Sequence, residues 1–327
     1  MTNISTITLG IIGCGRWGIN HVKTANNLLG TNLRTVFDPN PSARKAVSDI
    51  SPTINCVDRI DLLLNNTEIN SVVIATPAET HFNVAKKCLE NGKHVLVEKP
   101  ITLNSKDAFQ LTEYAKKNNL QLMVGHVLLY HPAIVMMKKY INEKKIGKLQ
   151  YIYSNRLNLG ALRNEENVLW SFAPHDISIM QYFNDTSPVS INSHGAYFVQ
   201  PNIEDTTITY LTYPDNVHAH IFVSWLHPFK EHRLVVIGDK GMLVFEDSVQ
   251  KDKLKFYPKG FSKTEKGYVK FDNDFISIPF DQLQPLTEEH KHFYECVLTG
   301  KKPLTDGNHA VEVLKILEQA TRRLHHD

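Results

Sequence analysis

Three glycines set the first constraint on this chain. Gly13, Gly15 and Gly18 stand at G-x-G-x-x-G spacing, directly after the apolar run Ile7 to Ile12. A helix-compatible segment, Trp17 to Leu28, follows, and then a second strand, Leu33 to Phe37, which ends in Asp38. That order of strand, tight turn, helix and strand predicts a dinucleotide fold. The first glycine permits the turn, the second lets the backbone approach a pyrophosphate, and the third lets helix and strand pack closely. The helix N-terminus attracts the phosphates. Gly13, Cys14, Gly15, Arg16 and Trp17 are therefore expected to line the cofactor, and Asp38 to accept from the adenosine ribose hydroxyls. A 2′-phosphate would meet that carboxylate, and no basic residue follows until Arg44, so NAD is expected rather than NADP.

Length and charge bound the rest. A chain of 327 residues predicts two domains of roughly 150 residues each. A formal charge of +2 shows no bias toward nucleic acid or membrane, and no block of like charge suggests a tail. The N-terminus lacks the basic start and apolar run of a signal peptide, and no segment reaches the length of a membrane span. Four scattered cysteines (Cys14, Cys56, Cys88, Cys296) form no C-x-x-C pair, so neither a disulfide framework nor a metal site is expected. These features predict a reduced cytoplasmic protein with no nucleic-acid or membrane partner.

From residue 7 to about 125, short apolar runs (Ser71 to Ala75, His94 to Val97, Gln121 to Val124 among them) alternate with amphipathic stretches such as Ala78 to Asn91 and Ser105 to Asn118. Continuous apolar strands between helices predict a parallel sheet covered on both faces. After a helix from Pro132 to Asn142, longer and often alternating strands follow: Leu149 to Leu157, Val189 to Val199, Thr206 to Thr212, Val217 to Trp225, His232 to Ile237 and Met242 to Phe245. The expected architecture is α/β: an N-terminal Rossmann domain over 1–125, and over 126–327 an α+β domain with an open, mostly antiparallel sheet. Two helices, Leu286 to Leu298 and Asn308 to Leu324, close the chain. His218 and His220 share a strand face and read as a packing pair. His325 and His326 read as a frayed terminus.

Ligands of open α/β sheets bind at the carboxyl ends of the strands. Two such ends are distinctive: Ile74-Ala75-Thr76-Pro77 with His81 beyond it, and Val97-Glu98-Lys99-Pro100. Thr76, Pro77, His81, Glu98 and Lys99 are accordingly expected beside the cofactor.

The glycine turn, Ala-Thr-Pro with its following histidine, and Glu-Lys-Pro together resemble the glucose–fructose oxidoreductase, inositol dehydrogenase and rhizopine-catabolism (Gfo/Idh/MocA) oxidoreductase family over essentially the whole chain. The resemblance implies that Lys99 lies between nicotinamide and substrate, with a Lys99-Pro100 peptide that is often cis in relatives. It also implies a histidine on a second-domain helix, matched by His175, with an aspartate four residues earlier. Here Ser171 takes the aspartate's place, so the counter-charge is missing. Lys99 and His175 are the expected catalytic pair for oxidising a secondary alcohol, the imidazole taking the hydroxyl proton and the ammonium orienting the alkoxide, or the reverse.

The stretch Tyr153 to Gly160, with Arg163 and the Ala-Pro-His-Asp-Ile segment, resembles a nucleotide-sugar branch of the family that acts on the 3-hydroxyl of UDP-N-acetylglucosamine. That likeness implies a keto product passed to a PLP aminotransferase. Arg156 and Arg163 are the expected diphosphate ligands, since a guanidinium presents a bidentate fork, and Tyr130 is expected to line the substrate cleft. Another UDP-sugar such as a hexuronate, a free polyol, and a non-catalytic dinucleotide-binding regulator are the competing readings. A homo-oligomer, dimer or tetramer, is expected through the second sheet.

Overall fold

In the computed structural model, residues 4–324 are described; the first three residues and the His325-His326 terminus lie outside that range. The first half alternates strand and helix: β1 (Leu9–Ile12), α1 (Gly18–Leu29), β2 (Leu33–Phe37), α2 (Pro41–Ile50), β3 (Asn55–Val57), α3 (Ile60–Leu64), β4 (Ser71–Ile74), α4 (His81–Glu90), β5 (His94–Glu98), α5 (Ser105–Lys117) and β6 (Leu122–Gly125). Its six strands lie in the order β3-β2-β1-β4-β5-β6, every pair parallel. The strand order reverses between β1 and β4, the kind of switch point at which open α/β sheets bind ligands. β1, β4 and β6 are buried along their whole length, as continuous apolar runs require. Asn40 and Asn104 cap α2 and α5 by accepting from Ser42 N and Asp107 N.

The second half carries α6 (Pro132–Asn142), β7 (Leu149–Leu157), α7 (Val168–Asn184), β8 (Ser190–Ala196), β9 (Thr206–Tyr213), β10 (Val217–Ser224), β11 (Glu231–Gly238), β12 (Met242–Glu246), β13 (Leu254–Tyr257), β14 (Lys259–Thr264), β15 (Gly267–Asp272) and β16 (Ile276–Ser277). Eight of these strands form one sheet, β16-β13-β12-β11-β7-β10-β9-β8, antiparallel throughout except for the β7–β10 pair. The expected α/β class with a mostly antiparallel second sheet is thus what the chain adopts. α7 packs on β7, β9 and β10. Along β9, Thr207, Thr209, Leu211 and Tyr213 are buried, while Ile208 and Tyr210 are exposed. β14 and β15 pair only with each other.

Two helices follow, α8 (Pro285–Thr299) and α9 (Gly307–Leu324). The chain divides into two compact units, and the division differs from the expected 1–125 and 126–327. The first unit runs to Tyr130 and takes in Gln284–Leu314; the second is His131–Leu283 with the chain from Lys315 onward. The physical reason is visible at β6. Val124 N donates to Thr305 O at 2.8 Å, Thr305 Oγ1 donates to Val124 O at 2.7 Å, and Met123 bridges Asp306. α8 packs on α1 and on the turn Val127–Tyr130. Tyr130 is consequently a core residue: it is buried, and its hydroxyl lies 3.0 Å from Thr305 Oγ1. The expected substrate contact at Tyr130 is therefore withdrawn.

In the second unit, one buried ion pair ties α7 to the sheet. Arg156 on β7 donates from Nε to Asp176 Oδ2 at 2.8 Å and from Nη2 to Oδ1 at 3.0 Å, while Ser154 donates to Oδ1 at 2.6 Å. The fork expected to hold a diphosphate is thus already occupied, and Arg156 is a structural residue. Among the described residues, no helix is long and apolar enough to cross a membrane. Replacing Asp176 by alanine leaves a buried guanidinium unpaired and should remove about 3–5 kcal/mol of stability. Urea denaturation reads this directly, and an unmoved midpoint would contradict the assignment.

Candidate active site

The glycine turn is built by close packing. Gly13 follows β1 at φ 88°, and a Cβ there would meet Ala75 O at 2.8 Å. A Cβ on Gly18 would lie 2.2 Å from Gly13 O, so α1 rests directly on the turn. Gly15 is different: it is exposed, and a Cβ there would meet nothing within 4 Å. Arg16 and Trp17 are exposed beside it. No side chain caps the first turn of α1, and a helix N-terminus of this kind leaves amides without intrahelical partners. This cradle fits a pyrophosphate on the helix N-terminus.

Asp38, at the end of β2, is nearly buried. Its Oδ2 accepts from Cys14 N at 2.8 Å and its Oδ1 from Asn40 N at 2.9 Å. Each carboxylate oxygen keeps a second lone pair, so a ribose diol remains compatible. Arg44 is committed elsewhere, its Nη1 donating to Asp38 O at 2.7 Å and to Pro39 O at 3.0 Å. Cys14 contributes its amide. Its thiol is buried, and desolvation together with the neighbouring Asp38 carboxylate pushes it up to about 12.

Beyond β4, Thr76 Oγ1 pairs with Thr80 Oγ1 at 2.7 Å, and Pro77 starts a helical turn. His81 departs from expectation. It is buried, with Nδ1 2.7 Å from Pro100 O and Nε2 2.8 Å from Thr76 O. Both ring nitrogens face carbonyls, so His81 joins the loops after β4 and β5 and makes no cofactor contact of its own. The Lys99–Pro100 peptide in that second loop is cis. Glu98 is likewise directed inward: its Oε1 receives Trp17 Nε1 and faces His21 Nε2 at 2.8 Å, and its Oε2 accepts the Lys99 amide at 3.1 Å. Glu98 is a holder of Lys99 and Trp17 rather than an open ligand. His126, just past β6, is also buried, and burial, with His309 and Lys99 close by, keeps its imidazole well below the ordinary range.

In the second unit, His175 is half-buried in the middle of α7, next to Pro174 inside the same helix, and Ser171 lies buried one turn earlier. Arg163 sits in the connection before α7 with its side chain 52% exposed, paired with Glu166 at 2.6 Å. His220 stacks on Tyr153 at 5.2 Å and pairs with the Tyr151 hydroxyl.

Sequence reasoning missed four groups packed behind Lys99 in the first unit: His21, Glu289, His290 and Tyr294, all fully buried. His290 and Tyr294 stand at i, i+4, and His21 lies three residues after Gly18. A polar residue on the inward stripe of an amphipathic helix was the available signal.

Comparison with known proteins agrees with this geometry. A family model described as "Oxidoreductase family, NAD-binding Rossmann fold" matches residues 7–126, and the GFO/IDH/MocA C-terminal domain matches 134–244. The chain belongs to the Gfo/Idh/MocA family. It is an oxidoreductase, and its cofactor is NAD. It is 26% identical over 330 residues to scyllo-inositol 2-dehydrogenase (NAD(+)) of Bacillus subtilis (strain 168), covering 96% of this chain and 93% of that protein. It is 30% identical over 201 residues to UDP-N-acetylglucosamine 3-dehydrogenase of Acidithiobacillus ferrooxidans, covering 61% of each. A solved structure of the latter superposes with a TM-score of 0.82 at 23% identity over 97% of both chains, a likeness of fold.

The cradle makes a sharp prediction. Gly15→Ala has room in the folded chain, so its thermal midpoint should match wild type, while the added methyl blocks close approach of the pyrophosphate and should weaken NAD binding at least about tenfold, or 1.4 kcal/mol. Calorimetric titration with NAD measures the second quantity; unchanged affinity would place the phosphates elsewhere.

Proposed function

We propose that this enzyme oxidises a secondary hydroxyl on a sugar ring, with the 3-hydroxyl of UDP-N-acetylglucosamine as the site and the 3-keto sugar as product. The observation that carries the class of reaction is Lys99. It stands at the carboxyl end of β5, with its amide held by Glu98, at the same sheet edge as the glycine turn and Asp38. Bound NAD supplies the acceptor for the hydride of the carbinol carbon. The residues Gly13 to Trp17, Asp38, Thr76 and Pro77 are the proposed cofactor contacts.

Lys99 as ammonium orients the hydroxyl and favours the alkoxide that develops as its proton leaves. His175 takes that proton as the general base. Ser171 presents a hydroxyl where relatives are expected to carry a carboxylate, so the imidazolium formed lacks a counter-charge from that position. The likeness to the Acidithiobacillus enzyme supports the nucleotide sugar. Arg163, on an exposed loop, is the proposed cation for its diphosphate now that Arg156 is held by Asp176. The keto product would feed a PLP-dependent aminotransferase.

Two observations favour a second reading, oxidation of a free cyclitol. The loss of Arg156 as a ligand removes one of two expected diphosphate contacts, and the scyllo-inositol relative spans 96% of the chain. The uncovered face of the second sheet, with Ile208 and Tyr210 exposed on β9, supports a homo-oligomer, dimer or tetramer. A cytoplasmic location goes with the unpaired cysteines.

NADH absorbance over a panel of UDP-N-acetylglucosamine, a UDP-hexuronate and scyllo-inositol tests both readings. Turnover is expected with the first compound. Turnover with scyllo-inositol alone overturns the nucleotide-sugar reading, and a silent panel with intact NAD binding overturns both. Lys99→Ala and His175→Ala should each lower kcat by about 10²- to 10⁴-fold and leave the Kd for NAD within about twofold; a wild-type rate removes that residue from the chemistry.

A further inference from the structure

Behind Lys99, a continuous line of polar groups crosses the apolar interior of the first unit. It starts at Glu98, whose Oε2 holds the Lys99 amide. Oε1 faces His21 Nε2 at 2.8 Å; His21 Nδ1 faces His290 Nε2 at 2.8 Å; His290 Nδ1 faces the Tyr294 hydroxyl at 2.8 Å. α1 supplies His21, α8 supplies His290 and Tyr294, and β5 supplies Glu98. His21, His290 and Tyr294 have no exposure at all.

With Glu98 ionised and His290 neutral, hydrogen-bond chemistry leaves this line two arrangements. A neutral imidazole has one donor and one acceptor, so while both rings are neutral the bonds must all point the same way. In the first, Tyr294 donates to His290 Nδ1, His290 Nε2–H donates to His21 Nδ1, and His21 Nε2–H donates to Glu98. In the second, His21 carries one more proton and donates both ways, so His290 takes the Nδ1–H tautomer and the Tyr294 oxygen becomes an acceptor. In both, His21 donates to the carboxylate that holds Lys99, and the first also gives the buried Tyr294 hydroxyl an acceptor in His290 Nδ1.

The surroundings bias the line. Burial keeps the His290 imidazole neutral, aided by nearby His21, and burial raises the Tyr294 phenol. The Glu98 carboxyl is held below its usual range by His21, Trp17 and the Lys99 amide, against the opposing effect of burial. The titratable groups facing it are His21 and Glu289 on α8, and Trp17 Nε1 from the glycine turn adds a neutral donor. Burial and the Glu98 charge push the Glu289 carboxyl well above its usual range, so it stays neutral. From β6, Gly125 leaves the carboxylate its space, since a Cβ there would touch Glu98 at 3.1 Å.

Stability alone does not call for such a line. Buried polar groups cost free energy unless fully bonded, and apolar side chains of similar volume are often as stable. What distinguishes this one is its terminus on the carboxylate that fixes Lys99. We propose that His21, His290 and Tyr294 are positioning residues, whose hydrogen-bonded line locks Glu98 and, through it, sets the backbone of Lys99 for catalysis. This rests on the catalytic reading of Lys99.

The test compares His290→Leu, which cuts the line, with His290→Gln, whose side-chain amide reaches toward His21, and Tyr294→Phe, which removes only the terminal hydroxyl. Two readouts are taken on the full-length protein. The first is the backbone amide resonance of Lys99 under selective [15N]lysine labelling, assigned by its loss in Lys99→Ala. The second is kcat with NAD and UDP-N-acetylglucosamine, or the panel member that reacts, together with the Kd for NAD.

His290→Leu is expected to move the Lys99 resonance and lower kcat about tenfold, with the Kd for NAD within about twofold of wild type. His290→Gln should recover most of the rate, and Tyr294→Phe should fall between. A folded His290→Leu with wild-type kcat, or with the Lys99 resonance unmoved, overturns the proposal and leaves a packing network. If His290→Leu does not fold, Tyr294→Phe and His290→Gln decide by the same readouts. Wild-type turnover in Lys99→Ala overturns the catalytic reading itself; an inactive Lys99→Ala beside a wild-type His290→Leu overturns the positioning line alone.

Discussion

One row of apolar residues across the parallel sheet governs where everything else falls. Ile12 pairs with Phe37 on one side and Ile74 on the other, Ile74 with Val97, and Val97 with Val124. Because these strands run the same way in matched register, the residues just past them emerge together: Gly13, Asp38, Ala75, Glu98 and Gly125. A slip of one residue in any strand would turn its side chains to the opposite face and break that alignment. The continuous burial of β1 and β4 makes such a slip costly, since each fully buried large aliphatic side chain contributes about 1.5–3 kcal/mol. The chemistry is thus placed by core residues that take no part in it.

How much of this is legible in the amino-acid order depends on the distance over which each choice is made. The glycine turn, the parallel strands and the capped helices are local decisions, and β2, β7 and α6 match their expected limits residue for residue. β13 to β16 escaped notice because Leu254 to Ser277 is short-stranded, lysine-rich and divided by Pro258, with no sustained apolar period. The assignment of α8 to the first unit depends on bonds between Thr305 and Val124, residues far apart in sequence. So do the roles of Tyr130 and Arg156. A tyrosine or an arginine on an element does not reveal which group waits opposite it, and here Thr305 and Asp176 convert two expected ligands into framework.

The same holds within the site. Asp38, Lys99 and the glycines advertise themselves by spacing. Glu98 reads as a cofactor contact until its three inward bonds are seen, and His81 until both ring nitrogens are found against carbonyls. The residues that hold a reactive group come from three elements, α1, β5 and α8, and only the folded chain brings them together.

Cys14 carries a consequence of its own. It sits in the dinucleotide turn, where a sulfur open to oxidants would put the nucleotide site at the mercy of peroxide. Its thiol is buried and held protonated far above neutral pH, and the thiolate is the form that oxidants and alkylating agents attack. The turn therefore keeps its sulfur as a buried, protonated thiol and not as the thiolate that such reagents attack.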